Sequence, residues 1–309
     1  MNMMRRAVLF SALPLALANQ SYDYVVIGGG TSGLTVANRL SEVPDASVLV
    51  IEPGGSVLNN PNVYDVNGYG KGLGTDIDWA YQSVNQTYGG NVKQTLSAGK
   101  ALSGTSSING MVYARAEDVQ VDAWGAIGNA GWDWKSLLPY YIKSENITNP
   151  TKVQLATGAL FEPTYNGRDG PLKVAFSTME PSNFTTLLNQ SVQNLGLPAN
   201  PDVNSGHMHG YSITPVTVDA DKVVREDAAR AYYWPYTYRP NLHVSLHTSA
   251  NKITWAGGHR HGPAIANGVE MTLRNGTVRT VKARREVIVS AGALRSPGIL
   301  EHSGIGNPA

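Results

Sequence analysis

The sequence predicts an α/β fold built on a parallel β-sheet, with a less regular region between the first and last parts of the chain. Three observations support this. An apolar run, a glycine-rich turn, an amphipathic segment and a second apolar run follow one another over residues 21–51. A further apolar run, Glu286 to Ser290, lies near the end. Between them, residues 155–261 mix helical and strand-like patterns without a βαβ order, which indicates an inserted or second domain.

Residues 21–51 are predicted to form a βαβ unit. The strand within Ser21 to Ile27 stops at Gly28-Gly-Gly30, and the strand Val48 to Ile51 follows a helix. The helix is indicated by apolar residues that recur at helical spacing, namely Leu34, Ala37 and Leu40. In this order, the helix connects two neighbouring strands of a parallel sheet.

Later segments predict two helices and a hairpin. Asp133 can cap a helix whose apolar face holds Leu137, Leu138, Tyr141 and Ile142. Ser182 can cap a second helix that Gly196 and Pro198 terminate, with an apolar face of Phe184, Leu187, Leu188, Val192 and Leu195. Asn275-Gly276 between two alternating runs, 269–273 and 277–283, predicts a β-hairpin.

Composition excludes several classes of function. The chain has 309 residues, 33 of them glycine, no cysteine and a net charge of +1. Without cysteine there is no disulfide framework, thiolate zinc site, iron–sulfur cluster or cysteine nucleophile. The near-neutral charge, without a basic run, argues against nucleic acid as a partner. The abundance of glycine indicates a fold in which the backbone closely approaches another group.

Residues 1–18 have the pattern of a secretory signal peptide. Arg5 and Arg6 precede the apolar run of residues 7–18, and Ala16-Leu17-Ala18 predicts cleavage after Ala18. The run is too short to cross a bilayer, which takes about 20 residues, and no later stretch is long and apolar enough. We therefore expect a secreted protein without a membrane span. In that setting the Asn-x-Ser/Thr sequons are glycosylation candidates, at Asn19, Asn85, Asn146, Asn183, Asn189 and Asn275.

The turn after the first strand carries a dinucleotide-binding fingerprint. Gly28, Gly30 and Gly33 fit G-x-G-x-x-G, in which the glycines allow a tight turn, approach of a pyrophosphate and close helix packing. Glu52 follows the second strand, where a carboxylate accepts hydrogen bonds from ribose hydroxyls and repels the 2′-phosphate of NADP. The fingerprint leaves NAD and FAD open. Secretion favours FAD, which can be carried as a tightly held group, and so does the late strand that ends at Ser290-Ala-Gly292.

Three longer stretches together resemble the glucose-methanol-choline (GMC) oxidoreductases, in particular the secreted fungal glucose oxidase-like members. They are residues 24–34 with 48–52, residues 99–111 and residues 292–306. Shorter stretches such as Arg225-Glu-Asp-Ala-Ala229 are also similar. The resemblance runs from about Tyr22 to Gly306. It implies a Rossmann-like FAD-binding domain with a parallel sheet, and part of an α+β substrate domain.

The resemblance also implies a cofactor and contact residues. The cofactor is FAD, and the reaction is oxidation of a CH–OH group by hydride transfer to the flavin. Beside Gly28, Gly30, Gly33 and Glu52, the implied FAD-binding residues are Thr31, Ser32, Thr105, Asn109, Gly110, Val112 and Ala250. Tyr69 matches an aromatic residue that covers the substrate pocket. Ser103 stands where the family usually has a glycine, so we expect its side chain to crowd the flavin loop if that position needs a positive φ.

The family's catalytic base is a histidine near the end of a chain nearly twice this length, paired with a second His or Asn. None of the seven histidines matches it, and His-x-His pairs without cysteine or neighbouring carboxylates predict no metal site. We therefore predict a C-terminally truncated GMC chain without a catalytic residue. Its predicted parts are the signal peptide 1–18, FAD-binding segments 19–154 and 262–309, and an incomplete substrate region 155–261.

Three functions follow as hypotheses from this resemblance. The first is an FAD-dependent alcohol or sugar oxidoreductase with O₂ or a quinone as electron acceptor, for which a homodimer is compatible with the family. The second is a non-catalytic flavin-binding relic. The third is a GMC-fold protein that acts as a non-redox cyclase of secondary metabolism.

Overall fold

A computed structural model of the chain describes residues 21–177, 183–257 and 264–307. The predicted signal peptide, Asn19 and the cap at Ser182 lie outside these ranges. The strands are β1 (Ser21–Ile27), β2 (Val48–Ile51), β3 (Tyr81–Gln82), β4 (Thr95–Leu96), β5 (Glu145–Ile147), β6 (Leu172–Val174), β7 (Val218–Asp219), β8 (Val224–Arg225), β9 (Leu242–Ser245), β10 (Ser249–Ala256), β11 (Ile265–Thr272) and β12 (Val278–Val289). The helices are α1 (Thr31–Leu40), α2 (Pro61–Tyr64), α3 (Asp118–Ala126), α4 (Trp134–Ser144), α5 (Lys152–Ala156), α6 (Asn183–Asn194), α7 (Ala228–Tyr232) and α8 (Gly292–His302).

The largest sheet has six strands in the order β10-β11-β12-β1-β2-β9. Strands β12, β1, β2 and β9 run parallel, whereas β10, β11 and β12 are antiparallel neighbours. The predicted α/β class with a parallel sheet is therefore confirmed, and an antiparallel meander extends one edge.

Both faces of the parallel strands are buried, because adjacent side chains of one strand point to opposite faces. Val25 and Ile27 lie in a core that includes Ile299 of α8. Val26 lies in the core on the other face, with Leu34 of α1 and Ala229 of α7. This double burial explains why β1 and β2 read as continuous apolar runs rather than alternating ones.

The predicted βαβ unit and hairpin are confirmed. Helix α1 connects β1 to β2, which pair in parallel with Val25 opposite Leu49. Strands β11 and β12 pair antiparallel on either side of the Asn275-Gly276 turn, where Gly276 has a φ of 82°.

The two predicted helices are also present. Asp133 caps α4 by accepting a hydrogen bond from the N–H of Ser136 at 2.8 Å. The predicted apolar face of α4 is half-buried, whereas Phe184 and Leu187 of α6 are 71% and 60% exposed. Helix α6 is therefore amphipathic without being covered by the described part of the chain.

The strand predicted from Glu286 to Ser290 is present as far as Val289, but it is part of a longer strand and is only half-buried. These residues continue β12, which pairs with β11 in its first half and with β1 in its second half. Glu286 is exposed, and Val287 and Ile288 are only half-buried. The run Lys282 to Glu286 remains in strand conformation because it pairs with β1, and Arg284 adds an ion pair with Asp23 of β1 at 2.9 Å.

The region 155–261 contributes to the main sheet at its end. Strands β9 and β10 join opposite edges of that sheet, beside β2 and β11. Earlier elements of the region form small two-stranded sheets: β7 pairs with β8, and β6 pairs with β5, which precedes the region. The division at residues 154, 261 and 262 stays a prediction. Within the ranges that the structure describes, no helix has the length and apolar character to cross a membrane.

Candidate functional site

A cleft of about 780 Å³ lies at the carboxyl ends of β1 and β2. Its walls come from the turn before α1, Glu52, the segment Ser97 to Thr105, the start of β10, and the first turns of α8. In parallel α/β sheets, the carboxyl ends of the strands are the usual place for a ligand. The cleft contains seven predicted site residues, namely Gly28, Gly30, Thr31, Ser32, Glu52, Thr105 and Ala250.

The glycine turn brings the start of α1 to the cleft. Gly28 has a φ of 103°, and a Cβ there would lie 2.4 Å from the carbonyl oxygen of Ser290. Gly33 packs beneath the turn, where a Cβ would lie 2.0 Å from the carbonyl oxygen of Gly28. Gly30 is the N-cap residue of α1 and supplies no side-chain acceptor. The first N–H groups of α1 are therefore open to an anion in the cleft.

Glu52 is a buried carboxylate directly after β2. Its Oε2 accepts a hydrogen bond from the N–H of Gly29 and its Oε1 one from the N–H of Gly54, both at 2.8 Å. Burial raises the pKa of this carboxyl to about 7, and the two backbone hydrogen bonds only partly oppose that shift. Since each carboxylate oxygen has a second lone pair, the group can still accept hydrogen bonds from hydroxyls in the cleft.

The loop that follows Gly99 packs closely against the glycine turn, mainly through its backbone. The N–H of Ser103 donates to the carbonyl of Gly29 at 2.8 Å. A Cβ at Gly104 would lie 2.7 Å from the Cα of Gly30. Thr105 faces the cleft, and its hydroxyl accepts a hydrogen bond from the N–H of Gly99 at 3.2 Å. No side chain fits at Gly104 where it meets Gly30, so the turn and the loop present main-chain groups to the cleft at this point.

Trp79, Tyr81 and Arg295 also line the cleft, and sequence reasoning missed all three. Trp79 and Tyr81 stack with ring centroids 5.6 Å apart. The guanidinium of Arg295 lies 5.0 Å from the centroid of the Trp79 ring, and the ammonium of Lys100 lies 4.9 Å from it. Residue spacing does not reveal this cluster, because Arg295 and Trp79 are far apart in the sequence.

The remaining predicted residues lie outside the walls of the cleft. Asn109 and Gly110 are exposed, and Val112 is 66% exposed. Tyr69 is 67% exposed, and its ring lies against Gly110, where a Cβ would be 3.3 Å from a ring carbon. These four residues therefore form an open surface continuous with the loop. Their roles stay predictions.

Ser103 does have the positive φ that was expected to conflict with a side chain, at 122°. The side chain does not crowd the cleft, because its hydroxyl points away and donates to the carboxylate of Asp227. It also accepts the N–H of Ala229 at 2.9 Å. Likewise, the hydroxyls of Ser106 and Ser107 donate to carbonyls within the loop and not to the cleft.

The described ranges contain no group of three His, Cys, Asp or Glu side chains that could hold a metal ion. His259 and His261 lie outside those ranges. The donor set of the cleft instead consists of helix N–H groups, a carboxylate after β2 and backbone glycines. These groups fit a dinucleotide, with the helix N-terminus at the pyrophosphate and the carboxylate at a ribose.

Comparison with known proteins decides between the dinucleotide classes. The family model of GMC oxidoreductases matches residues 22–309. The chain belongs to the GMC oxidoreductase family. The resemblance given by the sequence motifs is thus confirmed, and so is the expected cofactor of the family, since GMC oxidoreductases are FAD-dependent.

Relatives of this GMC chain include fungal oxidoreductases. It is 47% identical over 301 residues to a glucose oxidase-like protein of Humicola fuscoatra, covering 94% of this chain and 51% of the relative. It is 36% identical over 298 residues to a glucose oxidase of Aspergillus carbonarius, covering 95% of this chain and 48% of the relative. The chain thus spans about half the length of the curated relatives it matches.

Solved structures show the same fold. An FAD-dependent oxidoreductase of Chaetomium thermophilum matches this GMC chain with a TM-score of 0.86 and 32% identity, over 93% of this chain and 48% of that one. A fungal aryl-alcohol oxidase matches with a TM-score of 0.81 and 30% identity, over 93% of this chain and 48% of that one.

Proposed function

We propose that this chain binds FAD in the cleft and is the cofactor-binding part of an oxidoreductase. The oxidoreductase acts on the CH–OH group of a sugar or another small alcohol. The observation that carries the proposal is the convergence of three groups on one cleft. They are the open N-terminus of α1, the buried carboxylate of Glu52 and the loop from Gly99 to Thr105.

The end of the cleft near Glu52 suits an adenosine group. Ser249 and Ala250 begin β10 there and present backbone beside the apolar side chains of Ile51 and Ile299. An adenine ring can lie on this apolar surface while its ribose hydroxyls donate to the carboxylate of Glu52. A 2′-phosphate would meet the same carboxylate, which disfavours NADP.

The pyrophosphate belongs at the start of α1. Thr31 and Ser32 are exposed to the cleft and offer N–H groups and hydroxyls at the positive end of the helix dipole. Arg295, which lines the cleft beside Trp79, adds positive charge. The positive end of the α1 dipole and the guanidinium of Arg295 both attract the two negative charges of a pyrophosphate.

The isoalloxazine end would extend over Asn109, Gly110, Val112 and Tyr69. When bound, the flavin supplies the two-electron acceptor for a hydride from the alcohol carbon. The protein residues here orient the ring with backbone donors, and Tyr69 can cover the alcohol beside it. Which sugar or alcohol binds is open in this proposal. The glucose and aryl-alcohol oxidases among the relatives support a small CH–OH donor.

Secretion is part of the proposal. Asn85 and Asn275 lie in exposed segments and can accept glycans. Expression in a fungal host should place the protein in the medium, with a mass that falls on glycosidase treatment. Retention inside the cell, with no glycosidase-sensitive mass, would contradict this part of the proposal.

FAD binding is tested by titrating the chain with FAD and following quenching of flavin fluorescence, with NAD as the competitor. Proline at the first position of a helix removes one N–H and keeps the helix. We expect Thr31→Pro to weaken FAD binding about tenfold relative to Thr31→Ala, through loss of a charge-assisted hydrogen bond. Lys152→Pro, at the first position of α5, is the matched control and should leave the affinity unchanged.

Two results would overturn the proposal of FAD binding. One is the absence of saturable FAD binding by the wild-type chain. The other is NAD binding as tight as FAD binding. Turnover is a separate measurement, made by adding glucose or benzyl alcohol to the FAD-loaded chain without oxygen. We expect little bleaching of the flavin absorption by these 309 residues, because no histidine among them matches the family's base. Rapid bleaching would contradict the predicted absence of a catalytic residue.

A further inference from the structure

The segment from Ser103 to Met111, here termed the cofactor loop, is bounded by two non-glycine residues in left-handed conformations. The φ of Ser103 is 122° and that of Met111 is 62°. Residues with side chains disfavour such conformations, which persist only where surrounding contacts fix them. Besides the hydrogen bond from Ser103 to Gly29, the long-range contacts that fix the cofactor loop come mainly from the segment 217–229, more than a hundred positions away in the sequence.

Arg225 provides most of these contacts on the inner side of the loop. Its side chain is 1% exposed. Its Nη1 donates to the carbonyl oxygens of Ser106 at 3.1 Å and Asn109 at 2.9 Å, and to Oδ1 of Asn109 at 2.7 Å. Its Nε donates to the carbonyl oxygen of Val63 at 2.9 Å. No carboxylate within the described ranges forms an ion pair with this guanidinium. The buried charge is thus stabilised mainly by oxygen atoms of the cofactor loop, and the nearby carboxylate of Asp227 adds electrostatic attraction.

Asp227 holds the beginning of the cofactor loop. Its Oδ1 accepts the hydroxyl of Ser103 at 2.5 Å and the N–H groups of Ala229 at 3.0 Å and Arg230 at 3.1 Å. The N–H of Ala228 donates to the hydroxyl of Ser106 at 3.0 Å. The start of α7 is therefore bonded directly to the loop.

These contacts determine where two main-chain donors point. In a trans peptide the carbonyl oxygen and the following N–H point in opposite directions, and the described chain has no cis peptide bond. Because the carbonyl of Asn109 faces Arg225, the N–H of Gly110 points away from it. The carbonyl of Met111 accepts the N–H of Thr217 at 2.8 Å, so the N–H of Val112 also points outward. Neither outward N–H has an acceptor within the residues described.

We propose that Arg225 and Asp227 are positioning residues that fix the cofactor loop with the N–H groups of Gly110 and Val112 directed at the isoalloxazine ring. The inference rests on the proposed FAD binding. Arg225 acts through the loop carbonyls and Asp227 through Ser103, without contact to the cofactor. The adenosine end of the cleft depends on Glu52 and α1, which Arg225 does not touch. Loss of Arg225 should therefore affect the flavin end alone.

The test compares wild type with Arg225→Lys, which keeps the charge but cannot reach the same set of carbonyls. We expect FAD binding to weaken at least about tenfold, ADP binding to stay within about twofold, and the visible absorption bands of bound FAD to shift. Arg239→Lys is the matched control, because the half-buried Arg239 donates to the carbonyl of Asn38 on a different part of the molecule. The control should change neither affinity nor spectrum. Asp227→Asn keeps the helix cap and should give a smaller change of the same kind.

Each outcome has one meaning. The inference would be overturned if Arg225→Lys and Asp227→Asn had the same FAD affinity and the same spectrum as wild type. So would equal losses of FAD and ADP affinity in Arg225→Lys, because they would show a general structural role. If Arg225→Lys does not fold, Asp227→Asn decides by the same measurements. Failure of the wild-type chain to bind FAD while it binds ADP would instead overturn the proposed function itself, and this inference with it.

Discussion

Ser103 donates its hydroxyl hydrogen to the carboxylate of Asp227, with 2.5 Å between Oγ and Oδ1 and 124 positions between the residues in the sequence. Both side chains are buried, at 0% and 1% exposure. This hydrogen bond explains how a non-glycine residue is held at a φ of 122° beside the glycine turn. It also connects the cleft to α7.

The Ser103–Asp227 pair predicts an unusual order of stabilities. Ser103→Ala loses a hydrogen bond to a charged group, worth about 1.5–3 kcal/mol, and keeps the strained backbone. Ser103→Gly loses the same hydrogen bond but relieves the strain. We expect the glycine variant to unfold at higher urea than the alanine variant, by about 1 kcal/mol in free energy of unfolding. An alanine variant at least as stable as the glycine variant would show that the left-handed conformation costs nothing here.

Gly33 is predicted to tolerate no side chain. A Cβ in Gly33→Ala would lie 2.0 Å from the carbonyl oxygen of Gly28, so we expect a loss of about 3 kcal/mol or more in stability. The matched control is Gly298→Ala in α8, where nothing lies within 4 Å of the added Cβ. That substitution should stabilise the chain by about 0.5–1 kcal/mol, because alanine favours helix. Thermal unfolding of both variants gives the comparison, and similar Tm values would contradict the packing described for the turn.

Arg295 is predicted to strengthen FAD binding by long-range attraction. Its guanidinium lies over Trp79, and both residues line the cleft. Arg295→Gln should weaken FAD binding roughly three- to tenfold at low salt and much less at high salt, since mobile ions screen exposed charges. Arg274→Gln, in the exposed turn between β11 and β12, removes the same charge elsewhere. Equal effects of the two substitutions would show that only net charge matters.

The sequence predicted the parts of the fold that depend on local pattern. The unit β1–α1–β2 combines apolar runs with glycines at fixed spacing, and the β11–β12 hairpin has a two-residue turn. The continuity of β12 could not be predicted, because the run from Lys282 to Glu286 is charged like a loop. Its strand conformation depends on pairing with β1, to which Arg284 is also bonded through Asp23, 261 positions away.

In the candidate site too, local sequence pattern predicts some residues and only tertiary contacts reveal the others. Gly28, Gly30 and Glu52 are found from spacing, because one βαβ unit places them together. Arg225 and Asp227 belong to a stretch that carried family resemblance but no assigned role. Their partners in the cofactor loop lie 116 to 124 positions earlier. Only the tertiary structure brings a buried arginine to the carbonyls that precede Gly110.

Glu52 predicts that FAD binding depends on pH. Burial raises its pKa to about 7 in the folded protein, against 4.5 for an ordinary glutamate. Its contribution to stability is therefore complete below pH 4.5 and is lost as the pH rises through 7. Ribose hydroxyls that donate to the carboxylate favour its ionised form, so FAD binding should release a proton. We expect the Kd for FAD to fall as the pH rises from about 5 to about 7, up to tenfold for each unit by which binding lowers the pKa. Calorimetry near pH 6 in buffers of different ionisation enthalpy measures that proton, and buffer-independent heats would show that the ribose does not reach Glu52.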